Sequence, residues 1–132
     1  GLTDTVALEL PFTNAADVVT SVASDAVAFC YDTNATTDEW WALGVAGDTD
    51  ATGNAATGTA PVADTYQVLR IEVDDGGADC RFYIDGALAG TLTASCVTPT
   101  VALAPFVTIS SAQTAASHVV DVDCIFVAAA RD

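Results

Sequence analysis

Hydrophobic and polar positions alternate most regularly between Tyr66 and Leu92, where the chain reads YQVLRIEVDDGGADCRFYIDGALAGTL. Leu69, Ile71 and Val73 alternate with Arg70, Glu72 and Asp74, the two-residue period of a strand with one buried face. Asp74-Asp75-Gly76-Gly77 interrupts the run, and Cys80, Phe82 and Ile84 resume it. Asp85-Gly86 then supplies the dipeptide that best tolerates the positive φ angles of a tight hairpin turn. Leu88, Gly90 and Leu92 return on a third strand. A two-residue turn here sets Ile84 opposite Ala87 and Phe82 opposite Ala89, placing Phe82 in the core beneath small residues.

The same reading extends along the chain. Residues 6–12 (VALELPF) form a first short strand, whose Pro11 suits an edge or a strand end. Residues 14–25 read as loop, with room for a short strand at 18–22. Residues 26–32 (AVAFCYD) give a strong strand with Val27, Phe29 and Tyr31 on one face and Ala28 and Cys30 on the other. After a polar turn, residues 40–45 (WWALGV) pair back, so Trp40 and Trp41 point to opposite faces. Residues 47–64 are small, polar and Gly-rich, which predicts a surface loop and the most mobile part of the chain. Two further strands are expected at 101–109 (VALAPFVTI) and 119–128 (VVDVDCIFVA). In the last, Val120, Val122, Cys124 and Phe126 face inward and Asp121 and Asp123 outward. Seven or eight such strands with no helix between them predict one all-β domain over residues 1–132, a two-sheet antiparallel sandwich.

Charge narrows the partners. Eighteen acidic residues against three basic ones give −15, and the only fixed cations are Arg70, Arg81 and Arg131. No basic patch can form to neutralise phosphates, so nucleic acid and anionic membrane surfaces are excluded as partners. Acidity of this kind favours solubility and repulsion between copies, and it also suits a protein living in salty water. Although 52% of residues are hydrophobic, no apolar run approaches the roughly 20 residues of a membrane-spanning helix. The chain begins at Gly1 and has no Met, as expected of a processed product or a piece of a longer protein.

Cys30, Cys80, Cys96 and Cys124 lie far apart, without the close C-x₂-C pairs of zinc sites. They form either two disulfides or four buried thiols. The even count in a small β domain favours at least one disulfide, and with it an extracellular or post-lysis setting. Four cysteines allow three connectivities. Cys80 and Cys96 flank the Asp85-Gly86 hairpin and are the favoured pair, while Cys30 and Cys124 lie in apolar strands that could be neighbours.

With these strands placed, their order resembles a concanavalin A-like jelly roll of the laminin-G-like kind. The resemblance rests on Tyr66-Gln-Val-Leu-Arg-Ile-Glu-Val, on Arg81-Phe-Tyr-Ile-Asp-Gly-Ala-Leu-Ala-Gly-Thr-Leu, on Pro99 and Leu103-Ala-Pro, and on Val120-Asp-Val-Asp-Cys-Ile-Phe-Val. The Ala-, Thr-, Val- and Asp-rich chain is also similar to small sandwich domains of tailed-phage virion proteins. That likeness implies a structural, non-enzymatic role in the virion: a capsid decoration or cement protein, or a domain of a head or tail fibre. Its partners would be the major capsid protein, other virion proteins or further copies of itself. The same sandwich also serves carbohydrate-binding and adhesion modules of larger extracellular proteins. That alternative would use Trp40 or Trp41, with Asp48 and Asp50, as the contact.

Groups suited to catalysis on this fold are sparse. A glycosidase needs two or three carboxylates along one strand, a retaining pair standing about 5–5.5 Å apart. The chain has only Glu9, Glu39 and Glu72, and Glu72-Val73-Asp74 reads as a solvent-facing strand end. His118, the single histidine, has no nucleophile motif beside it. Asp48-Thr-Asp50-Ala-Thr-Gly53 resembles the start of a calcium loop but lacks its third carboxylate and its closing Glu. Asp32, Asn34, Asp38 and Glu39 form a second acidic cluster, and either could hold calcium weakly. No other cofactor is expected. Asn34-Ala-Thr36 fits a glycosylation acceptor.

Overall fold

A computed structural model of the chain describes residues 24–31, 37–74, 76–94, 96–107, 109 and 119–129. The described residues are all-β without helix and form two antiparallel sheets. In the first, β1 (Ala26–Tyr31) pairs with β2 (Trp40–Ala46). Two short strands, β3 (Thr49–Asp50) and β4 (Ala55–Ala56), pair with opposite ends of β2. In the second sheet, β5 (Leu69–Val73), β6 (Cys80–Ile84) and β7 (Ala87–Leu92) run in chain order. The strands expected at 6–12 and 18–22 lie outside the described residues.

The alternation at 26–31 works as the pattern predicts. Phe29 pairs with Ala42 on one face, and Ala28 pairs with Leu43 on the other. Phe29 meets Phe82 of the second sheet edge to face, with ring centroids 5.2 Å apart. β1 packs over β5 and β2 over β7. Between the sheets lies a core of Ala42, Ala51, Cys80, Phe82, Leu92 and Cys96, flanked by Val27, Phe29 and Ile71. Small residues let the layers approach. A Cβ added to Gly90 would stand 3.2 Å from the Ala42 Cβ, and one on Gly44 would stand 3.0 Å from the Cys96 carbonyl. The far face of β1 and β2 is buried as well, through Ala26, Ala28, Leu43 and Val45.

Both tight hairpins have positive φ at their two central residues: Gly47 and Asp48 between β2 and β3, Asp85 and Gly86 between β6 and β7. This is the turn whose twist matches that of the strands it joins. Ile84 pairs with Ala87 as expected, but Phe82 stands opposite Gly90 and not Ala89. A bulge inserts one residue into β7 between the Tyr83–Leu88 and Phe82–Gly90 pairs. It also separates Leu88 from Leu92: Leu88 joins Tyr83 on the outside at 58% exposure, while Leu92 is buried.

Three other expectations are corrected. Residues 47–64 are not a free loop, because β3 and β4 fold back on β2. Asn54 fixes this return, accepting from Gly44 N–H at 2.9 Å and donating to the Gly44 carbonyl at 3.2 Å. Residues 101–107 and 109 form no strand and are exposed, and Pro105 lacks the N–H a ladder needs. Residues 119–129 likewise have no strand partner among the described residues; Val120, Val122 and Phe126, expected inside, are exposed.

Candidate functional site

The residues singled out from sequence fall into two groups at opposite ends of β2. Trp40 opens the strand. Its backbone N–H donates to the Thr59 carbonyl and its own carbonyl accepts from Thr57 N–H, both at 2.8 Å. Its indole N–H donates to Gln67 Oε1 at 3.0 Å. The ring meets Phe29 edge-on at 6.1 Å and Tyr31 at a tilt at 5.9 Å. Trp41, one residue on, turns to the other face beside the second core cluster, where its buried indole N–H has no partner among the described residues. Both tryptophans are half-buried.

Asp48 and Asp50 sit beyond the far end of β2, in the hairpin turn and on β3. At about 3.3 Å per residue, the strand keeps them roughly 20 Å from Trp40. The fold therefore does not bring the Trp pair and these aspartates together. No group of three metal-ligating side chains converges among the described residues. Of the second acidic cluster, Glu39 Oε2 accepts from Gly58 N–H at 2.9 Å, and Asp38 is exposed. Asp32 and Asn34, with the Asn34-Ala-Thr36 triplet and His118, lie outside the described residues.

Glu72 lies on the outer face of β5, ion-paired with Arg70 and opposite Arg81 on β6. The Arg70 guanidinium stacks 3.9 Å from the centre of the Tyr83 ring. Asp74 Oδ1 accepts from Asp79 N–H at 3.2 Å, closing the turn before β6. These two carboxylates serve an ion pair and a turn.

Cys80 and Cys96 are both fully buried in the inter-sheet core, as thiols. Burial pushes both thiols above their ordinary range, and each is the other's hydrogen-bonding partner. The Cys96 thiol also donates to the Ala78 carbonyl at 3.0 Å. The pair favoured from sequence is thus adjacent in space. Cys30 is half-buried on β1 and Cys124 is exposed.

One feature had no signal in the alternation pattern. Asp25 Oδ1 accepts from Thr98 N–H at 2.9 Å and from Gly47 N–H at 3.3 Å, tying the start of β1 to the first hairpin and to the segment after β7. Hydrogen bonding from Thr98 holds its carboxyl below the usual range, against a smaller opposing effect of burial. Beside it lies an open cleft of about 380 Å³ lined by Ala46, Thr49, Gly77, Val97, Thr98 and Pro99, among others. That lining carries no ionisable side chain.

Comparison with protein-family models, with curated proteins and with solved structures finds no match for this chain.

Proposed function

We propose that the chain is a structural, surface-attaching component of a tailed-virus particle, acting as a capsid decoration or cement protein or as a domain of a head or tail fibre. Its two sheets belong, on this reading, to a jelly roll of the concanavalin A-like kind. The observation that carries the proposal is a contrast in burial. Leu43, Phe82 and Leu92 are sealed at 0–1% exposure, while Val119, Ile125 and Phe126 stand at 78%, 57% and 87%. Apolar side chains grouped in this way on a strongly acidic chain mark a surface to be covered by another protein. The mechanism is passive. The apolar segments bury against the shell protein or neighbouring copies, and the acidic loops face solvent and keep particles apart.

Quantitative mass spectrometry of density-banded particles from the source material tests this reading. It predicts the chain at a fixed ratio to the major shell protein; its absence from every particle fraction would overturn the proposal.

A second reading, a carbohydrate-binding or adhesion module, has one observation in its favour. Tyr31 is 40% exposed and lies against Trp40, an aromatic edge able to stack on a sugar ring. Glycan binding that disappears in Trp40→Ala would support it.

A further inference from the structure

We infer that residues 119–129 are a strand exchanged between two copies of this chain, docking on the open edge of β5. This goes beyond the virion reading and does not depend on it, since exchange needs only two copies in solution.

The acceptor is visible in the burial of the second sheet. Ile84 and Cys80 on β6 are 5% and 0% exposed, yet the β5 residues paired with them, Leu69 and Val73, are 37% and 41% exposed. The inner face is closed at β6 and open at β5, as in a sheet that lacks its next strand. β5 has no second ladder partner among the described residues, so its outer N–H and C=O groups offer a template for another strand.

The donor has the complementary pattern. Residues 119–129 run without helix or turn and have no ladder partner among the described residues. Val120, Val122, Cys124 and Phe126 alternate with Asp121, Asp123 and Ile125, and no proline breaks the series. One face can cover Leu69 and Ile71 while the aspartates stay outside. Charge selects a register. An antiparallel pairing with Asp121 beside Arg70 sets Asp123 beside Val68 and Val119 beside Glu72, which keeps both aspartates from facing Glu72. It also lays Val122 and Val120 against Leu69 and Ile71. Within one copy the donor does not pair with this edge, and Val119, Val120 and Phe126 are 78%, 58% and 87% exposed. A second copy supplies the same segment, and reciprocal exchange closes as a two-fold dimer in which both β5 edges are covered.

The test uses the full chain with Val68→Cys, Asp123→Cys as its partner on the same face, Cys124→Ser, and a short bis-maleimide, alongside light scattering on a sizing column. Strand exchange predicts a particle of twice 13.4 kDa and a cross-linked dimer on denaturing gels. Val122→Pro, which removes a ladder donor, should give a monomer that keeps the β-sheet circular dichroism signature of a folded chain. A cross-link within a monomer would mean that the segment closes on its own sheet and would overturn the inference. So would an uncross-linked monomer, a dimer without this cross-link, or a dimer that survives Val122→Pro.

Discussion

Phe82 stands directly opposite Gly90, and the missing side chain of Gly90 is what lets the two sheets close over the Phe82 ring. Phe82 is fully buried and meets Phe29 across the interface. Phe82→Ala should therefore cost about 3–5 kcal/mol by loss of burial and creation of a cavity. Gly90→Val should cost about 1–3 kcal/mol for the opposite reason, because the Ala42 methyl occupies its space. Urea unfolding measures both; a change below about 1 kcal/mol in Phe82→Ala would contradict the face assignment.

The second prediction concerns Gly77. Its φ is +64°, and an added Cβ would lie 2.8 Å from the Val97 carbonyl. That backbone is close because the Gly77 carbonyl accepts from both Cys96 and Val97 N–H at 3.1 Å. Gly77→Ala should destabilise by more than about 1 kcal/mol, since both the left-handed conformation and the contact oppose a side chain. Gly58→Ala has positive φ but open space around it and should cost less. Equal losses in the two variants would show that the Val97 contact is unimportant.

The core thiols make a prediction in alkali. Cys80 and Cys96 have folded pKa values raised above the ordinary 9.0, chiefly by burial. A group whose pKa is raised on folding contributes stability below its unfolded value and loses it as pH rises further. Stability should thus fall above about pH 9 as unfolded thiols ionise, and the fall should be smaller in Cys80→Ala/Cys96→Ala than in the parent. At neutral pH an alkylating reagent should modify exposed Cys124 before either core thiol. Modification of Cys80 and Cys96 first would contradict their burial.

Asp25 acts at the acid end. Its lowered pKa means that its contribution is present above the unfolded value of 3.8 and is lost as pH falls through the folded value below it. Asp25→Asn should flatten the acid limb of the stability curve and lower stability at pH 7 by under about 1 kcal/mol, because solvent screens this exposed clamp. An unchanged acid limb would remove Asp25 as a tie between the first hairpin and Thr98.

Much of the second sheet was legible in the sequence because three strands and two turns follow one another without long-range pairing. Ile84–Ala87 follows from Asp85-Gly86 alone. The bulge in β7 does not, because alternation reads Leu88, Gly90 and Leu92 as one face, whereas the inserted residue moves Leu88 to the other side. Composition also misleads at 47–64, where β3 and β4 depend on pairing to distant parts of β2 and on the Asn54–Gly44 hydrogen bonds. Residues 119–129 carry a strand pattern without a strand partner among the described residues, since alternation encodes the face to be covered and not what covers it. Of the candidate contact residues, the opposite orientation of Trp40 and Trp41 was readable from strand period. Their separation from Asp48 and Asp50 followed only once β2 was seen to run straight between them.

Attachment to a particle through exposed apolar segments is the central claim, and a binding titration tests it most directly. Particles from the source material, depleted of this chain, are incubated with increasing amounts of the purified protein, and bound copies are counted after sedimentation. The account predicts saturation at a fixed copy number per shell, with occupancy sharply reduced when residues 119–132 are deleted. No saturable binding to particles, together with micromolar binding of a free glycan that Trp40→Ala abolishes, would contradict it.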